Sequence, residues 1–183
     1  MQPDHDPGGK IRLRVDADTV SAAEFSSCRR YRWWLERRWD GRPIGSGDHV
    51  AMIGMNPSTA DLAVNDPTVA GCIKRARLWG FGAFVMLNAF GYRSTDQAGL
   101  LLIDDPVGPG NDPAILHHAG AALRVVVGWG KPPKPLSARG AQVAALLSSI
   151  DVQPMCFAIN ADGSPKHPLY VRHDAPLLPW RPA

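Results

Sequence analysis

The sequence contains few cysteines, and their spacing argues against two common structural devices. Only Cys28, Cys72 and Cys156 are present, and no two of them form a C-x-x-C pair. A disulfide framework needs an even set of cysteines, and a zinc ribbon needs paired C-x-x-C motifs. We therefore expect three reduced thiols, no bound metal and no other cofactor.

Long apolar runs are also missing. No stretch approaches the roughly 18–20 apolar residues of a transmembrane helix, and the polar start MQPDHDPGG lacks the apolar core of a secretion signal. Of the 183 residues, 45% are hydrophobic and 20% are charged, as in ordinary folded proteins. These features predict a cytoplasmic protein with no membrane partner. We expect a tail and lead-in over residues 1–24 and a single domain over residues 25–183.

Three familiar ligand-binding motifs are absent as well. Lys131 follows Gly130 but precedes two prolines, so it does not complete a phosphate-binding P-loop. No G-x-G-x-x-G follows a strand, and Ser58 does not lie in a G-x-S-x-G nucleophile elbow. His117 and His118 are adjacent, which is a poor spacing for two metal ligands.

Positive charge is concentrated in one short segment. The net charge is only +3, but residues 29–42 hold six arginines and four aromatic residues. Arginine beside exposed aromatic rings is typical of surfaces that hold single-stranded or flipped nucleotides. A strand with arginine facing water and tryptophan facing the core would have the same composition. Lys74, Arg75 and Arg77 form a second cluster, which we interpret as the solvent face of a helix.

Apolar runs predict strands that alternate with helices. We expect an N-terminal strand over residues 30–39 and core strands over residues 49–55, 83–88, 124–128 and 152–159. Helices are expected over residues 66–79, 112–121 and 135–149, with a short one over residues 100–102. The segment from Pro165 is rich in proline and is expected to be irregular. The pattern predicts an α/β three-layer sandwich with a short, mainly parallel four-stranded core sheet and an added N-terminal antiparallel strand.

Polar residues follow each predicted core strand. In open α/β sheets, ligands bind outside the carboxyl ends of the strands, so these loops hold the candidate site residues. The candidates, in chain order, are Asn56, Ser58, Asp61, Asn88, Tyr92, Arg93, Trp129, Lys131, His167 and Tyr170. We expect Asn56, Asn88, Trp129 and His167 to line one cleft.

Each candidate has a chemical role and a structural alternative. Asp61 could activate a water that Asn56 positions, whereas Asp66 stands at an ideal helix N-cap. Tyr92, Trp129 and Tyr170 could stack on a base or belong to the core. Arg93 and Lys131 could bind phosphate or form surface ion pairs, and the other residues could serve turns and loops.

The motifs resemble a bacterial family of uncharacterised proteins with an N-P-S-T-A-D signature. The resemblance covers nearly the whole chain, from about residue 25 to Trp180, and rests on short motifs at characteristic places. The motifs are Asn56–Asp61, Asn65–Thr68, Trp79-Gly80, Asn88, Tyr92-Arg93, Asp105-Pro106, Gly108-Pro109, Asn111-Asp112, Trp129-Gly130 and His167–Tyr170.

The order of these motifs also resembles, more distantly, the uracil-DNA glycosylase superfamily. Gly54-Met55-Asn56-Pro57 is similar to the first motif of its mismatch-specific branch, in which the Asn positions a water. The resemblance implies that Asn88 hydrogen-bonds a pyrimidine edge and that His167, in His-Pro, stabilises the leaving base. It also implies a short parallel sheet between helices. The sequence differs after His167-Pro168, where Leu169-Tyr170 replaces the usual small residue and DNA-inserting loop.

Two functions follow as hypotheses. The first is a nucleobase N-glycosidase that hydrolyses a base–sugar bond in nucleic acid or in a nucleotide. The second is a non-catalytic nucleotide or nucleic-acid binding module on the same fold, favoured if Asp61 and Asp66 both serve as caps. In either case we expect an electropositive face around the cleft, with residues 29–42 contributing. The sequence leaves the base and the oligomeric state open.

Overall fold

The computed structural model describes residues 11–182, which form nine strands and three α-helices. The strands are β1 (Leu13–Arg14), β2 (Val20–Phe25), β3 (Arg32–Arg38), β4 (His49–Gly54), β5 (Val64–Asn65), β6 (Ala83–Asn88), β7 (Ala122–Val127), β8 (Met155–Cys156) and β9 (Leu178–Pro179). The helices are α1 (Pro67–Leu78), α2 (Asn111–Gly120) and α3 (Arg139–Ser148), and 3-10 turns cover Gln97–Leu102, Lys134–Leu136 and Pro168–Tyr170.

Seven of the strands form one mixed sheet in the order β2-β3-β6-β4-β7-β8-β9. The pairs β6–β4, β4–β7 and β7–β8 are parallel, whereas β2–β3, β3–β6 and β8–β9 are antiparallel. Strands β1 and β5 form a separate antiparallel ribbon. The α/β prediction is confirmed, but the sheet has more strands and more antiparallel pairing than the sequence indicated.

The central strands are apolar and lie between helices. Every residue of β4 and β6 is buried, because these strands have helices over both faces of the sheet. Helix α1 packs its buried side chains on one face, together with Val50 and Met52. Helices α2 and α3 pack on the other face, together with Ala51 and Ile53. Alternate residues of β4 therefore enter opposite core clusters.

The ends of the sheet differ from the prediction. The strand expected over residues 152–159 is only Met155–Cys156, and part of the segment expected to be irregular returns as β9 beside it. At the other end, β2 begins at Val20, inside the predicted lead-in over residues 1–24. The first ten residues of that predicted tail lie outside the described residues.

Three arginines of β3 are buried, which neither interpretation of the Arg-rich segment anticipated. Strand β3 is covered at its edge by β2, and Arg32, Arg37 and Arg38 are each at most 1% exposed. Arg37 donates to Asn65 Oδ1 and to two backbone carbonyls. Arg38 pairs with Glu36 and Asp40. The guanidinium groups thus join β3 to neighbouring loops.

The carboxyl ends of the parallel strands lie together at one edge of the sheet. Gly54, at the end of β4, is paired with Asn88, at the end of β6. The backbone N–H of Gly128, just after β7, donates to the carbonyl of Ile53 at 2.9 Å. This edge carries the cleft described below. Among residues 11–182, no helix has the length and apolar character needed to cross a membrane.

Candidate functional site

A cleft of ≈ 790 Å³ lies at the carboxyl-terminal edge of the parallel strands. Its walls come from the loops after β4 and β7, the start of α1, the Ser94–Gln97 segment and the His167 turn. Of the ten candidates, six line it: Asn56, Ser58, Trp129, Lys131, His167 and Tyr170. The topology therefore brings together residues separated by more than a hundred positions.

The side-chain amide of Asn56 is held by hydrogen bonds from its nitrogen, and its oxygen is free. Its Nδ2 donates to the carbonyl of Ser94 at 2.7 Å and to that of Pro57 at 3.2 Å. Two carbonyl acceptors determine which amide atom is nitrogen, because only the nitrogen can donate. Oδ1 has no protein partner among the described residues and is left as an acceptor for a water or ligand.

His167 caps a 3-10 turn and directs one ring nitrogen away from it. The backbone N–H of Leu169 donates to Nδ1 at 3.4 Å, so the ring proton of neutral His167 belongs on Nε2. Burial lowers the pKa of His167, and the charge of Asp66 opposes that effect without reversing it. At neutral pH the residue is therefore an uncharged hydrogen-bond donor through Nε2.

Two glycines after β7 allow the His167 turn to approach closely. A Cβ on Gly128 would lie 3.1 Å from Cδ of Pro168, and one on Gly130 would lie 3.3 Å from Cβ of His167. Gly130 also has φ 75°, a conformation that favours glycine. Its N–H donates to the carbonyl of Pro165 at 2.8 Å. The β7 loop and the His167 turn are thereby held against each other.

Arg75 of α1 hydrogen-bonds to the backbone of the same turn. It is buried, and its Nη2 donates to the carbonyls of Pro168 at 3.2 Å and Val171 at 3.0 Å. Its guanidinium also lies 4.8 Å from the ring centroid of Phe157. The interpretation of Arg75 as a solvent-facing residue is therefore wrong. It was reasonable from sequence because exposed Lys74 and half-exposed Arg77 are its neighbours.

Asp61, the expected water activator, and Asp66, the expected N-cap, both cap backbone groups. Asp61 Oδ1 accepts from the N–H groups of Ala63 at 2.8 Å and Val64 at 3.1 Å, and Asp61 does not line the cleft. Asp66 Oδ1 accepts from Val69 N at 2.8 Å as the N-cap of α1. Asp66 nevertheless lines the cleft, and its charge acts on His167.

Arg32 is the one buried arginine in the cleft wall among the described residues. Its Nη1 donates to the carbonyl of Ala60 at 2.7 Å, whereas Nε is buried without a partner. Burial lowers the pKa of Arg32 to about 10, so the group stays charged at neutral pH. No carboxylate in residues 11–182 forms an ion pair with it within 4.0 Å.

Asn88 lies behind the cleft wall instead of lining it. Its side chain is 0% exposed, and both of its amide atoms lack a hydrogen-bond partner. A Cβ placed on Gly54 would lie 3.2 Å from Asn88 Oδ1 and 2.6 Å from Cε of Met86, so the three residues are in close contact. Met86 does line the cleft. The expectation that Asn88 would line the cleft is therefore wrong; Met86, which is in close contact with it, lines the wall instead.

Tyr92 and Arg93 do not line the cleft either. After β6 the chain runs antiparallel to the start of β3, with a bridge between Tyr92 and Tyr31 and an N–H donated by Arg93 to the carbonyl of Arg30. Tyr92 packs edge-on against Tyr31, and Arg93 is buried over the Phe25 ring. The extra backbone pairing directs both side chains away from the site.

The cleft is not strongly electropositive. Arg32 and Lys131 line it, but so do Asp66 and Asp96, and exposed Lys131 lies 3.9 Å from Asp162. Most of the Arg-rich segment is engaged elsewhere, since Arg42 is paired with Asp40 and Asp48. The predicted positive face, with the Arg-rich segment as its source, is therefore not found.

Several lining residues were missed by sequence reasoning. They are Arg32, Met55, Asp66, Pro67, Thr68, Met86, Ser94, Thr95, Asp96, Gln97 and Gly130. Helix α1 was predicted to begin at Asp66, so the position of its first turn near a strand end was a usable signal. No sequence signal indicated that Arg32 would be buried, because charged residues in a strand are expected on its exposed face. Within the described chain, no three His, Cys, Asp or Glu side chains are placed to hold a metal ion.

Fold and site together define an α/β protein with a polar cleft at the carboxyl ends of its parallel strands. The chain belongs to the family described as "Protein of unknown function (DUF1643)", whose sequence model matches residues 32–169. That match begins with β3 and ends inside the His167 turn, so it contains every candidate site residue except Tyr170. No curated protein and no solved structure matches the chain.

Proposed function

We propose that the cleft hydrolyses the N-glycosidic bond of a nucleobase-bearing substrate, as a distant relative of the uracil-DNA glycosylases. One observation carries the proposal: the Nε2 donor of neutral His167 and the free Oδ1 acceptor of Asn56 belong to one cleft. Base release needs a donor for the departing base and a holder for the attacking water, which are the groups found there.

The reaction uses these groups as follows. The bond from the sugar carbon to the base nitrogen breaks, and its electron pair leaves with the base. His167 Nε2–H donates to the oxygen on which the anion's charge develops. Water held by Asn56 Oδ1 forms the new carbon–oxygen bond, and its proton is finally taken up by the departed base. Asp66, in place of Asp61, supplies the negative charge that stabilises the electron-poor sugar.

Asn88 fits this proposal as the residue that hydrogen-bonds the base edge. A buried amide with two unpartnered atoms is costly unless something completes it. Movement of Met86, a flexible side chain, would open a path from the cleft to that amide. Asn88→Ala should therefore relax the choice of base more than it slows release.

A non-catalytic nucleotide-binding module is the second candidate. The observation that favours it is the capping of backbone groups by both Asp61 and Asp66, which leaves no carboxylate devoted to water activation. Asn56 itself is a poor general base. The two candidates share the ligand and differ in whether base is released.

The test is a screen for released base. Purified protein is incubated with single- and double-stranded oligonucleotides carrying uracil and other altered bases, and with the matching nucleotides. Free base is measured by chromatography, and abasic sites by alkaline cleavage. We expect release from at least one substrate, slowed about a hundred- to a thousandfold by His167→Ala.

The matched control is His173→Ala, which removes an exposed histidine six residues further along the chain. It should leave the rate and the melting temperature unchanged, whereas His167→Ala should remain folded and lose no more stability than the cap of one turn supplies, about 0.5–2 kcal/mol. Binding without release from any substrate would support the binding module instead. An unchanged rate in His167→Ala would remove the role assigned to that residue.

A further inference from the structure

Arg32 is a buried cation that forms no ion pair within 4.0 Å with a carboxylate of the described residues. The aspartates whose charges act on it most strongly are Asp66 and Asp61, whereas Arg93 and Arg37 repel it. This neighbourhood therefore contains three guanidinium groups and two carboxylates, an excess of one positive charge. Both Asp61 and Asp66 already accept hydrogen bonds from backbone N–H groups.

The surroundings of Arg32 in the cleft are suited to an oxyanion. The same cleft is lined by Ser58 and Thr68, whose hydroxyl groups have no hydrogen-bond partner among residues 11–182. In the first turn of the 12-residue helix α1, Pro67 has no N–H and the N–H of Val69 already donates to Asp66. Thr68 therefore contributes the remaining donors of that turn, its N–H and its hydroxyl. A guanidinium with few water contacts forms strong paired hydrogen bonds with phosphate.

We propose that Arg32 binds the phosphate monoester of a free mononucleotide in this cleft. The proposal deepens the function above and rests on it for the identity of the ligand as a nucleotide. A cleft of ≈ 790 Å³ lies within the range of about 300–1,000 Å³ that small-molecule sites occupy, and a mononucleotide is a ligand of that class.

The same observations argue against a long nucleic acid as the ligand. Binding along a strand needs a row of accessible cations, each neutralising one phosphate. Here Arg37 and Arg38 are buried with protein partners, and Arg42 is paired with two aspartates. Within the described chain, the cations of the cleft wall are Arg32 and Lys131, and Lys131 lies 3.9 Å from Asp162. Arg32 is thus left for one phosphate group.

The experiment uses inorganic phosphate as its first probe, because phosphate alone requires no assumption about the base. The 31P signal of millimolar phosphate should broaden in the presence of the wild-type protein. Arg32→Gln should abolish the broadening, and Arg32→Lys, which keeps the charge but loses the planar fork, should retain part of it. Arg42→Gln is the control at an exposed, paired arginine and should behave as wild type.

Displacement then identifies the source of the phosphate. Uridine and adenosine 5′-monophosphates should displace inorganic phosphate at least tenfold more effectively than a 5′-phosphorylated oligonucleotide. Equal displacement by the oligonucleotide would overturn the assignment to a free mononucleotide. No broadening by the wild type, or the same broadening with folded Arg32→Gln, would overturn the phosphate site.

The phosphate-binding result depends neither on the folding of the variant nor on release of the base. If Arg32→Gln fails to fold, competition between the monophosphates and inorganic phosphate on the wild type still decides the proposal. The measurement involves no hydrolysis. Phosphate binding without base release would keep the site and reject the glycosidase. Base release at equal rates from nucleosides and nucleotides would keep the glycosidase and reject the phosphate site.

Discussion

Asp61 and Asp66 show how neighbouring residues of one type take different places in the site. Both carboxylates cap backbone N–H groups, but only Asp66 lines the cleft. Sequence alone favoured Asp61 as the chemical residue, because Asp66 already had a structural explanation as an N-cap. A residue can do both, since a carboxylate has two oxygens and the cap uses only one.

Exchange of each aspartate for asparagine separates the cap from the charge. Asparagine is as good an N-cap as aspartate, so both variants should fold with stabilities within about 1 kcal/mol of wild type. Asp66→Asn should slow base release roughly a hundredfold, and Asp61→Asn should leave it unchanged. Single-turnover rates and urea unfolding curves check this. Equal losses in the two variants would contradict the assignment.

At the scale of elements, α1 connects the core to the chemistry of the cleft. Its N-terminus contributes to the cleft wall, its apolar face packs on the sheet, and Arg75 holds the turn that begins at His167. The helix was predictable, because Asp66-Pro67 is a strong start signal. Its contact with a turn more than ninety residues further along the chain could not be predicted from the sequence.

Removal of Arg75 should therefore loosen the His167 turn. Arg75→Met leaves the carbonyls of Pro168 and Val171 unpaired, at a cost of about 1–3 kcal/mol per buried group at most. We expect lower stability and slower base release, with both measured on the same preparation. Lys74→Met, at the exposed neighbouring position, should change neither. If the Arg75→Met protein had wild-type rate and stability, the conformation of the turn would not depend on Arg75.

Strands with uninterrupted apolar sequence were predicted well, and short ones were not. The limits of β6 agree with the prediction at both ends, and β4 and β7 agree within two residues, because β-branched and apolar runs bounded by glycine are a strong signal. Strands β8 and β9 have two residues each and no periodicity to detect. They exist because β8 pairs with β7 and the segment around Leu178 pairs in turn with β8.

The site was predictable for most residues in the loops after the parallel strands, and not for Asn88, which ends β6 but lies behind the cleft wall. Asn56, Trp129 and His167 meet because parallel strands share a carboxyl edge. Tyr92 and Arg93 were misplaced because backbone pairing with β3 continues past β6. Arg32 was missed because its acceptor, the Ala60 carbonyl, belongs to a loop that no local pattern connects to β3.

At the scale of the whole molecule, two histidines lie in the core away from the cleft. His49 begins β4, at the opposite end of the strand from the cleft, and its Nε2 donates to the carbonyl of His118 at 2.9 Å. His118 packs on the Trp34 ring. Burial, followed by the nearby His117 and His49, lowers the pKa of His118 to about 4. Burial also lowers the pKa of His49.

These shifts predict loss of stability in weak acid. Between about pH 6.5, the ordinary value for histidine, and pH 4, the unfolded chain binds protons that folded His118 does not. Stability therefore falls as the pH is lowered through this range, by about 3 kcal/mol from this residue. Urea unfolding at pH 7.5 and pH 5 should show the loss, and His118→Gln should reduce it. His117→Gln, at the exposed neighbour, should reduce it much less, because it removes only one charge that acts on His118 and leaves the burial unchanged.

The most direct test of the account concerns the leaving base. If His167 stabilises the base as an anion, its contribution must shrink when the base is a more stable anion by itself. Single-turnover rates are measured for wild type and His167→Ala on a pyrimidine substrate and on its 5-fluoro analogue, whose base is more acidic. The account predicts a loss of about a hundredfold or more on the first substrate and a clearly smaller loss on the second. The same loss on both would contradict the claim that His167 donates to the departing base.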